Sequence, residues 1–470
     1  MTSIENLSPR QKSLALVTLI VAVVLEIVDL TIVNTALPAI KADVGANAEA
    51  AQWIVAGYAL SFALLLMTGG RLGDSYGYRR MFLLGVAGFT ASSVACGIAG
   101  NAEQLVAARL MQGATGAMMA PQFMALMQVL FSPLERVSKL ALFGLIGGLA
   151  SIAGPVLGGV LIKANLFDLG WRLVFLINLP VGIFAILTGL KFLPETRSSH
   201  PSGVDIPGML LFGGAVLGLL WPLTRVEAGW GILEGLCLAA VLPLAFAGWR
   251  HVAGRVRAAR PALFDPALMA IRPFRIGLGI SVAFAAANAG FLLTFAFALQ
   301  AERGETPLVS GLLHMPFGLG AMVGIAVLGR NFLPRFGKWV LAVGGMVMIL
   351  AVSLTLAGLS VLTLDWRQLA PVLVVAGLGM GMLSGCIAPV SVAQVDRDHA
   401  GAASALLKTC QQLGSALGIA AAGSVYFAMA RHGGLPPSLA TLFAIVAFLG
   451  VCVVLAVRLP ERIFLPQPAV

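Results

Sequence analysis

Apolar runs of roughly 18–28 residues recur from end to end of this chain, each closed by a short Gly, Pro and charge cluster, and each is long enough to cross a bilayer as a helix. Lipid offers no partner to backbone polar groups, so a spanning segment folds as a helix or joins a closed barrel. The alternating ten-residue strands of a barrel are absent. The candidate spans lie at about 13–38, 51–70, 80–100, 104–131, 139–162, 172–193, 206–224, 231–249, 274–300, 308–332, 338–360, 368–393, 402–427 and 438–459. The expected fold class is an all-α polytopic membrane protein with 14 transmembrane helices.

Composition agrees. Hydrophobic residues make up 59% of the chain and charged ones 11%, against roughly a quarter charged in a soluble domain. A globular enzyme with a single anchor is thereby excluded. The net charge of +10 does not point to nucleic acid, because Lys and Arg sit in short loops between the apolar runs. With the N-terminus in the cytoplasm, the inside loops carry about 21 of them, including Arg71, Arg79, Arg80, Arg136, Arg255 and Arg335, and the outside loops about seven. Both termini are therefore expected in the cytoplasm. The five cysteines lie inside apolar runs at no metal-ligand spacing and read as small core residues. The first run is too long for the apolar core of a signal peptide and no cleavage pattern follows it, so it is expected to remain as a span.

Two acids stand inside that first run, Glu26 and Asp29. At membrane depth an ionised carboxylate is costly unless it is paired, hydrated or protonated. Their i, i+3 spacing puts them on one helix face. Such a pair belongs to proton-coupled machinery. The basic stretch from Arg250 to Arg275 separates the first eight spans from the last six. A weak echo links the halves: GRLGDSYGYRR (70–80) follows the second span and GRNFLPRFGK (329–338) the tenth. Repeated halves with a midplane cavity are the usual plan of secondary transporters.

Several motifs carry a family resemblance. GGRLGDSYGYRR (69–80) resembles the loop signature of the major facilitator superfamily, with Gly70, Gly73, Asp74, Gly77, Arg79 and Arg80 in place and Tyr78 where a basic residue is usual. Gly73 and Gly77 permit a tight turn, and Asp74 can form a charge cluster with Arg79 and Arg80. The resemblance implies that Asp74 also meets a helix start near His399–Gly401 and steadies one conformation. GLASIAGPVLGG (148–159) resembles the antiporter signature of drug–proton exchangers: Gly154, Gly158 and Gly159 open a close-packing face and Pro155 removes a backbone donor. RLMQGATGAMMAP (109–121) matches the fourth-span motif through Arg109, Gln112, Gly113 and Gly116.

DLTIVNTALPAI (29–40), WRLVFLINLPVG (171–182), GLGMGMLSGCIAP (377–389) and the Gly-rich segment 401–418 are similar to motifs of the fourteen-helix drug:proton antiporter branch. The resemblance implies two pseudo-symmetric six-helix bundles plus two inserted helices. The divisions expected are 1–195 for the N-terminal bundle, 196–260 for the inserted pair with a basic linker, and 261–470 for the C-terminal bundle. Three residues depart from the pattern. Glu26 has no counterpart in it, and Lys408 and Gln411 replace an expected Asn and Arg.

The buried guanidinium of Arg109 needs a carboxylate, and one in the first span is the evident candidate. Protonation of Asp29 would then release Arg109, so proton coupling is assigned to Asp29, Glu26 and Arg109. Lys408, in mid-span, is expected to answer Glu26 or Asp29. The candidate cavity residues are Glu26, Asp29, Asn34, Gln112, Asn288, His314, Lys408 and Gln411. His314, near a span end, reads more readily as a satisfied wall residue than as a titrating group. Phe291, Phe295, Phe297 and Met315 are better explained by packing than by cargo.

The function these readings support is a proton-coupled antiporter exporting amphipathic or lipophilic compounds, drugs and biocides with lipophilic cations among them, by alternating access. The alternative is an exporter of one endogenous metabolite or natural product that is neutral, zwitterionic or weakly acidic. A non-transporting sensor or channel is the reading from another class. No convergent His/Asp, Ser/His or metal cluster suggests an enzyme, and no phosphate-binding loop suggests an ATP-driven pump. The expected partners are a small molecule, protons and the lipid bilayer, without cofactor, metal or nucleic acid. The expected state is a monomer in the cytoplasmic (inner) membrane.

Overall fold

The computed structural model describes residues 8–196, 203–225, 229, 231–362, 364–395, 400–432 and 435–460. Among them every regular element is a helix. The first stretch of chain forms α1 (Pro9–Asp43), α2 (Ala48–Tyr76), α3 (Tyr78–Gly97), α4 (Ala102–Leu130), α5 (Pro133–Ala164), α6 (Leu173–Leu176) and α7 (Asn178–Phe192). Then come α8 (Ile206–Thr224) and α9 (Ile232–Arg257). The last stretch forms α10 (Arg272–Phe297), α11 (Pro307–Val323), α12 (Arg330–Phe336), α13 (Lys338–Ser360), α14 (Trp366–Val392), α15 (Ala400–His432) and α16 (Pro437–Val457). π-helical turns at Ala298–Glu302 and Gly324–Gly329 prolong α10 and α11.

Polar punctuation explains where the helices start. Ser8 and Gln11 close a reciprocal capping box on α1, Ser132 and Glu135 do so on α5, and Asp365 and Gln368 on α14. Asn47 and Asn101 cap α2 and α4. Between α2 and α3 the chain turns at Gly77, whose φ of 103° suits only glycine.

Among the described residues, 13 helical segments are long and apolar enough to cross a membrane. The helix α4, 29 residues long, falls outside that set because Arg109, Gln112 and Gln122 lower its apolarity. Every expected span coincides with a helix; the sixth is made of α6 and α7, and the tenth of α11 with its π turn.

The chain divides into two compact units. One holds Met1–Gly213, Ala245–Leu263 and Pro307–Leu312, and the other Gly214–Leu244, Phe264–Thr306 and Leu313–Val470. In the first, α1 packs on α5 and α7, α2 on α4, and α3 on α4 and α7. In the second, α10 packs on α15 and α16, the π turn after α11 on α14, and α13 on α14 and α16. Replacing α1, α2, α3, α4, α5 and α7 by α10, α11, α13, α14, α15 and α16 turns one set of pairings into the other. Two six-helix bundles thus repeat one plan, with α8 and α9 inserted between them in the chain.

Leu16, Leu19, Phe82, Met119, Phe123 and Leu126 form a core of the first unit. In the second, the ring of Phe291 lies 5.6 Å from that of Phe295 and 5.5 Å from that of Phe317. Phe291, Phe295 and Phe297 are buried there and serve packing.

Candidate functional site

Five helices of the first unit contribute side chains to a network around one carboxylate. Asp29, on α1, is fully enclosed, as is Arg109 on α4. Arg109 Nη1 meets Asp29 Oδ2 at 2.6 Å and donates to Gln112 Oε1 at 2.6 Å, while its Nε donates to the Ile54 carbonyl at 3.0 Å. The other carboxylate oxygen, Oδ1, accepts from Gln112 Nε2 at 2.8 Å and from Asn178 Nδ2, on α7, at 2.9 Å. Both amides also reach Ser93 Oγ on α3, at 3.0 Å and 2.7 Å, and Ser93 donates to the Phe175 carbonyl at 3.2 Å. The guanidinium carbon lies 4.4 Å from the centre of the Tyr58 ring, on α2. A buried ion pair holds best when its remaining polar atoms are also satisfied; here neutral amides engage Asp29 Oδ1 and Arg109 Nη1, while Arg109 Nη2 is buried with no hydrogen-bond partner among the described residues.

Local sequence delivers these groups. Arg109 and Gln112 are one turn apart on α4 and share a face, as Glu26 and Asp29 do on α1. Glycines let α4 lie against α2: a Cβ on Gly113 would stand 2.3 Å from the Tyr58 carbonyl oxygen, and one on Gly69 2.2 Å from that of Ala117. That close approach carries Arg109 to the Ile54 carbonyl and the Tyr58 ring.

The other expected cavity residues are divided between the two units. Glu26 is buried one turn before Asp29. Asn34 is buried and bonds the Leu30 carbonyl of its own helix at 3.4 Å. In the second unit, Asn288 on α10 is half-buried, with Oδ1 unbonded among the described residues. His314, on α11, is buried with its ring 5.0 Å from that of Phe295. On α15, Gln411 is half-buried and Lys408 is exposed. Asp29 is answered by Arg109, and both of its oxygens are engaged by α4 and α7. Among the described residues no group of three or more His, Cys, Asp or Glu is placed to hold a metal ion.

In the 69–80 segment, Gly70 faces Pro121, and a Cβ on Gly73 would stand 2.0 Å from Gln122 Oε1. Gln122 donates to the Gly69 carbonyl at 2.7 Å, binding α4 to this end of α2. The expected charge cluster of Asp74 with Arg79 and Arg80 does not form among the described residues. Asp74 Oδ1 accepts instead from Tyr78 Oη at 3.1 Å, across the Gly77 turn. Arg79 pairs with Glu195 at 3.2 Å and donates to the Leu190 carbonyl, and Arg80 is exposed. Arg79 is drawn to the end of α7, which leaves Asp74 to the residue at the variant position. His399, the expected neighbour of Asp74, lies outside the described residues.

The sequence pattern of the Major Facilitator Superfamily matches residues 19–419. The chain belongs to this family. It is 36% identical over 416 residues to the probable actinorhodin transporter of Streptomyces coelicolor, covering 87% of this chain and 71% of that protein. It is 35% identical over 407 residues to the tetracenomycin C resistance and export protein of Streptomyces glaucescens, covering 86% and 74%. The solved structure of a bacterial homolog of the human lysosomal transporter Spinster aligns with a TM-score of 0.68 at 19% identity, over 98% of this chain and 100% of that one. At that identity the likeness is one of fold. The family and these relatives are transporters, multi-span in the membrane and acting on small molecules.

In this superfamily member the 148–159 segment is a contact face. A Cβ on Gly154 would lie 2.0 Å from Thr31 Oγ1, and one on Gly158 3.0 Å from Ile32, both on α1. One on Gly159 would lie 2.6 Å from the Pro307 carbonyl oxygen, at the start of α11. The carbonyl of Pro155 faces Gly311 in the same contact, and α5 continues through Pro155.

The 171–182 motif ties the end of the first bundle to α1 at two levels. Trp171 Nε1 and Arg172 Nη1 hold Asp43 Oδ2 at 2.9 Å and 2.8 Å, and Asn178 holds Asp29. Asn178 and Ser93 are site residues not singled out from sequence. Asn178 stood inside a recognised motif, whereas Ser93 had no local signal. Asp205, beside the inserted pair, was also missed. It is buried, takes His251 Nε2 at 2.8 Å, and accepts from the backbone N–H groups of Gly208 and Leu263, each at 3.1 Å. Burial pushes its carboxyl upward, but these bonds and the His251 charge outweigh burial and hold it below the ordinary carboxylate range.

Proposed function

We propose that this protein is a proton-driven efflux transporter for amphipathic small molecules, working by alternating access in the cytoplasmic membrane with both termini in the cytoplasm. The observation that carries the proposal is the Asp29–Arg109 pair, fully enclosed and held at 2.6 Å. Proton binding to Asp29 would cancel the charge that holds Arg109. The ties from α1 to α4 and α7 would then weaken together, because Gln112 and Asn178 bond the same carboxylate. Each protonation state would favour one arrangement of the helices, and cargo would be carried between them. Glu26 is the second acid of the site, and Asp74 with Tyr78 the element that governs turnover.

Support for export comes from the relatives, one named as a transporter of a single compound and the other as a resistance and export protein. Names given for one compound each favour a second form of the reading, in which the cargo is one natural product. Lys408, exposed on α15, is the cationic group that would bias such a cargo away from simple cations. The test is purified protein in liposomes with an imposed proton gradient. Addition of a transported compound should move protons across the membrane in the opposite direction, and export that leaves the gradient untouched would overturn the coupling.

A further inference from the structure

The first unit contains a cavity of ≈ 760 Å³ between α1, α5 and α7, in the size range of small-ligand sites. It is walled by Ile20, Val24 and Val28 of α1, Leu142 and Ile146 of α5, and Phe184 of α7. Among the described residues Asn178 is its one polar lining residue, and the others are apolar. That amide has no hydrogen to spare, since Nδ2 donates to both Asp29 and Ser93. Its Oδ1 could accept one or two bonds at most, so a polar or charged group entering the cavity would lose most of its hydration without replacement.

The cavity is continuous with the apolar outer surface of these spanning helices. Its rim residues Val17, Leu142 and Phe184 are themselves exposed. So are Leu179, Ile183, Leu187 and Leu190 along α7, the composition of a face turned to hydrocarbon. Along α1 the lining runs from Leu16 to Val28, one residue short of Asp29.

We propose that this groove binds an acyl chain of a bilayer lipid. A hydrocarbon chain needs no hydrogen bond, satisfies every wall, and enters sideways from the surface with which the groove is continuous. Its end reaches Val28 and Asn178, so the chain keeps water away from the α7 flank of the Asp29 network. The site differs from the carboxylate network in its chemistry, and its occupancy does not depend on what is exported or on proton exchange.

The test is the full-length protein in nanodiscs doped with a phospholipid carrying a photoactivatable diazirine on one acyl chain, with labelled peptides mapped by mass spectrometry. Labelling at Leu142, Ile146 and Phe184 should saturate at a low probe fraction. Labelling of the exposed α16 residues Phe443 and Val451 should instead rise in proportion to probe. Val24→Trp, which fills the groove, should abolish the saturable groove labelling and leave α16 labelling unchanged. Leu142→Trp, at an already exposed position, supplies the same comparison should Val24→Trp fail to fold. Groove labelling that merely tracks the α16 face would overturn the proposal. Displacement of the label by an exported compound would also overturn it, by making the groove a cargo site.

Discussion

Asn178 donates its side-chain amide to Asp29 Oδ1 at 2.9 Å, and in doing so ties α7 to the one carboxylate that also holds Arg109. The first bundle is therefore joined around an acid, and that acid's charge is one of the forces that keeps α1, α4 and α7 together. Loss of a buried bond of this kind costs about 1–3 kcal/mol. Asn178→Ala is expected to lower the melting temperature in detergent and to reduce efflux several-fold at unchanged membrane abundance. Efflux and melting equal to the parent protein would show that the Asn178 bond is dispensable.

Arg109→Leu removes one partner of an enclosed ion pair and leaves Asp29 uncompensated, at a cost of about 3–5 kcal/mol. The double change Arg109→Leu with Asp29→Leu removes both charges and is expected to recover most of the lost stability while remaining inactive. Thermal melts of the two single variants and the double variant form the cycle that checks this. Additive losses in the double variant would mean that the two residues do not act as a pair.

Tyr78→Phe deletes the hydroxyl that Asp74 accepts from, a bond worth about 0.5–1.5 kcal/mol. Turnover should fall by a few-fold with little change in the concentration of substrate giving half-maximal rate. Asp74→Asn should have a larger effect in the same direction. Initial-rate measurements across substrate concentrations separate the two quantities.

Gly159 faces backbone, not a flexible side chain, so an added Cβ must displace the start of α11. Gly159→Ala should impair transport more than Gly147→Ala, where a Cβ would meet only the end of the Ile27 side chain at 3.3 Å. Transport assays matched for protein amount compare the two directly.

Asp205 gives the stability a predictable pH dependence. Its folded pKa lies below the ordinary value of 3.8, so its contribution is fully present above that value and is lost as pH falls through the folded pKa. Melting temperature should decline on acidification below about pH 4, and Asp205→Asn should flatten that part of the curve. An identical acid limb in the variant would assign the decline to other groups.

Much of this architecture is legible in the sequence because lipid imposes its own ruler. A segment must be long and apolar to cross, so 13 of the spans are visible by length and composition. The fourth shows in the sequence despite Arg109 and Gln112, because the apolar run around them persists. Asp29 and Arg109 point to each other because each is too costly to bury alone. Asn178 and Ser93 are different. They are neutral, they lie 85 residues apart, and nothing local marks them as partners of an acid on a third helix. Tyr78 illustrates the opposite case. Its departure from the family pattern looked minor, yet it is the residue that meets Asp74.

The most direct test of the account is uphill export by Asp29→Asn in liposomes carrying a proton gradient, measured beside gradient-free exchange of labelled for unlabelled substrate. The account predicts that uphill export is abolished while exchange persists, because the amide keeps the shape of the site but cannot carry the proton. Uphill export by Asp29→Asn at the rate of the parent protein would contradict it.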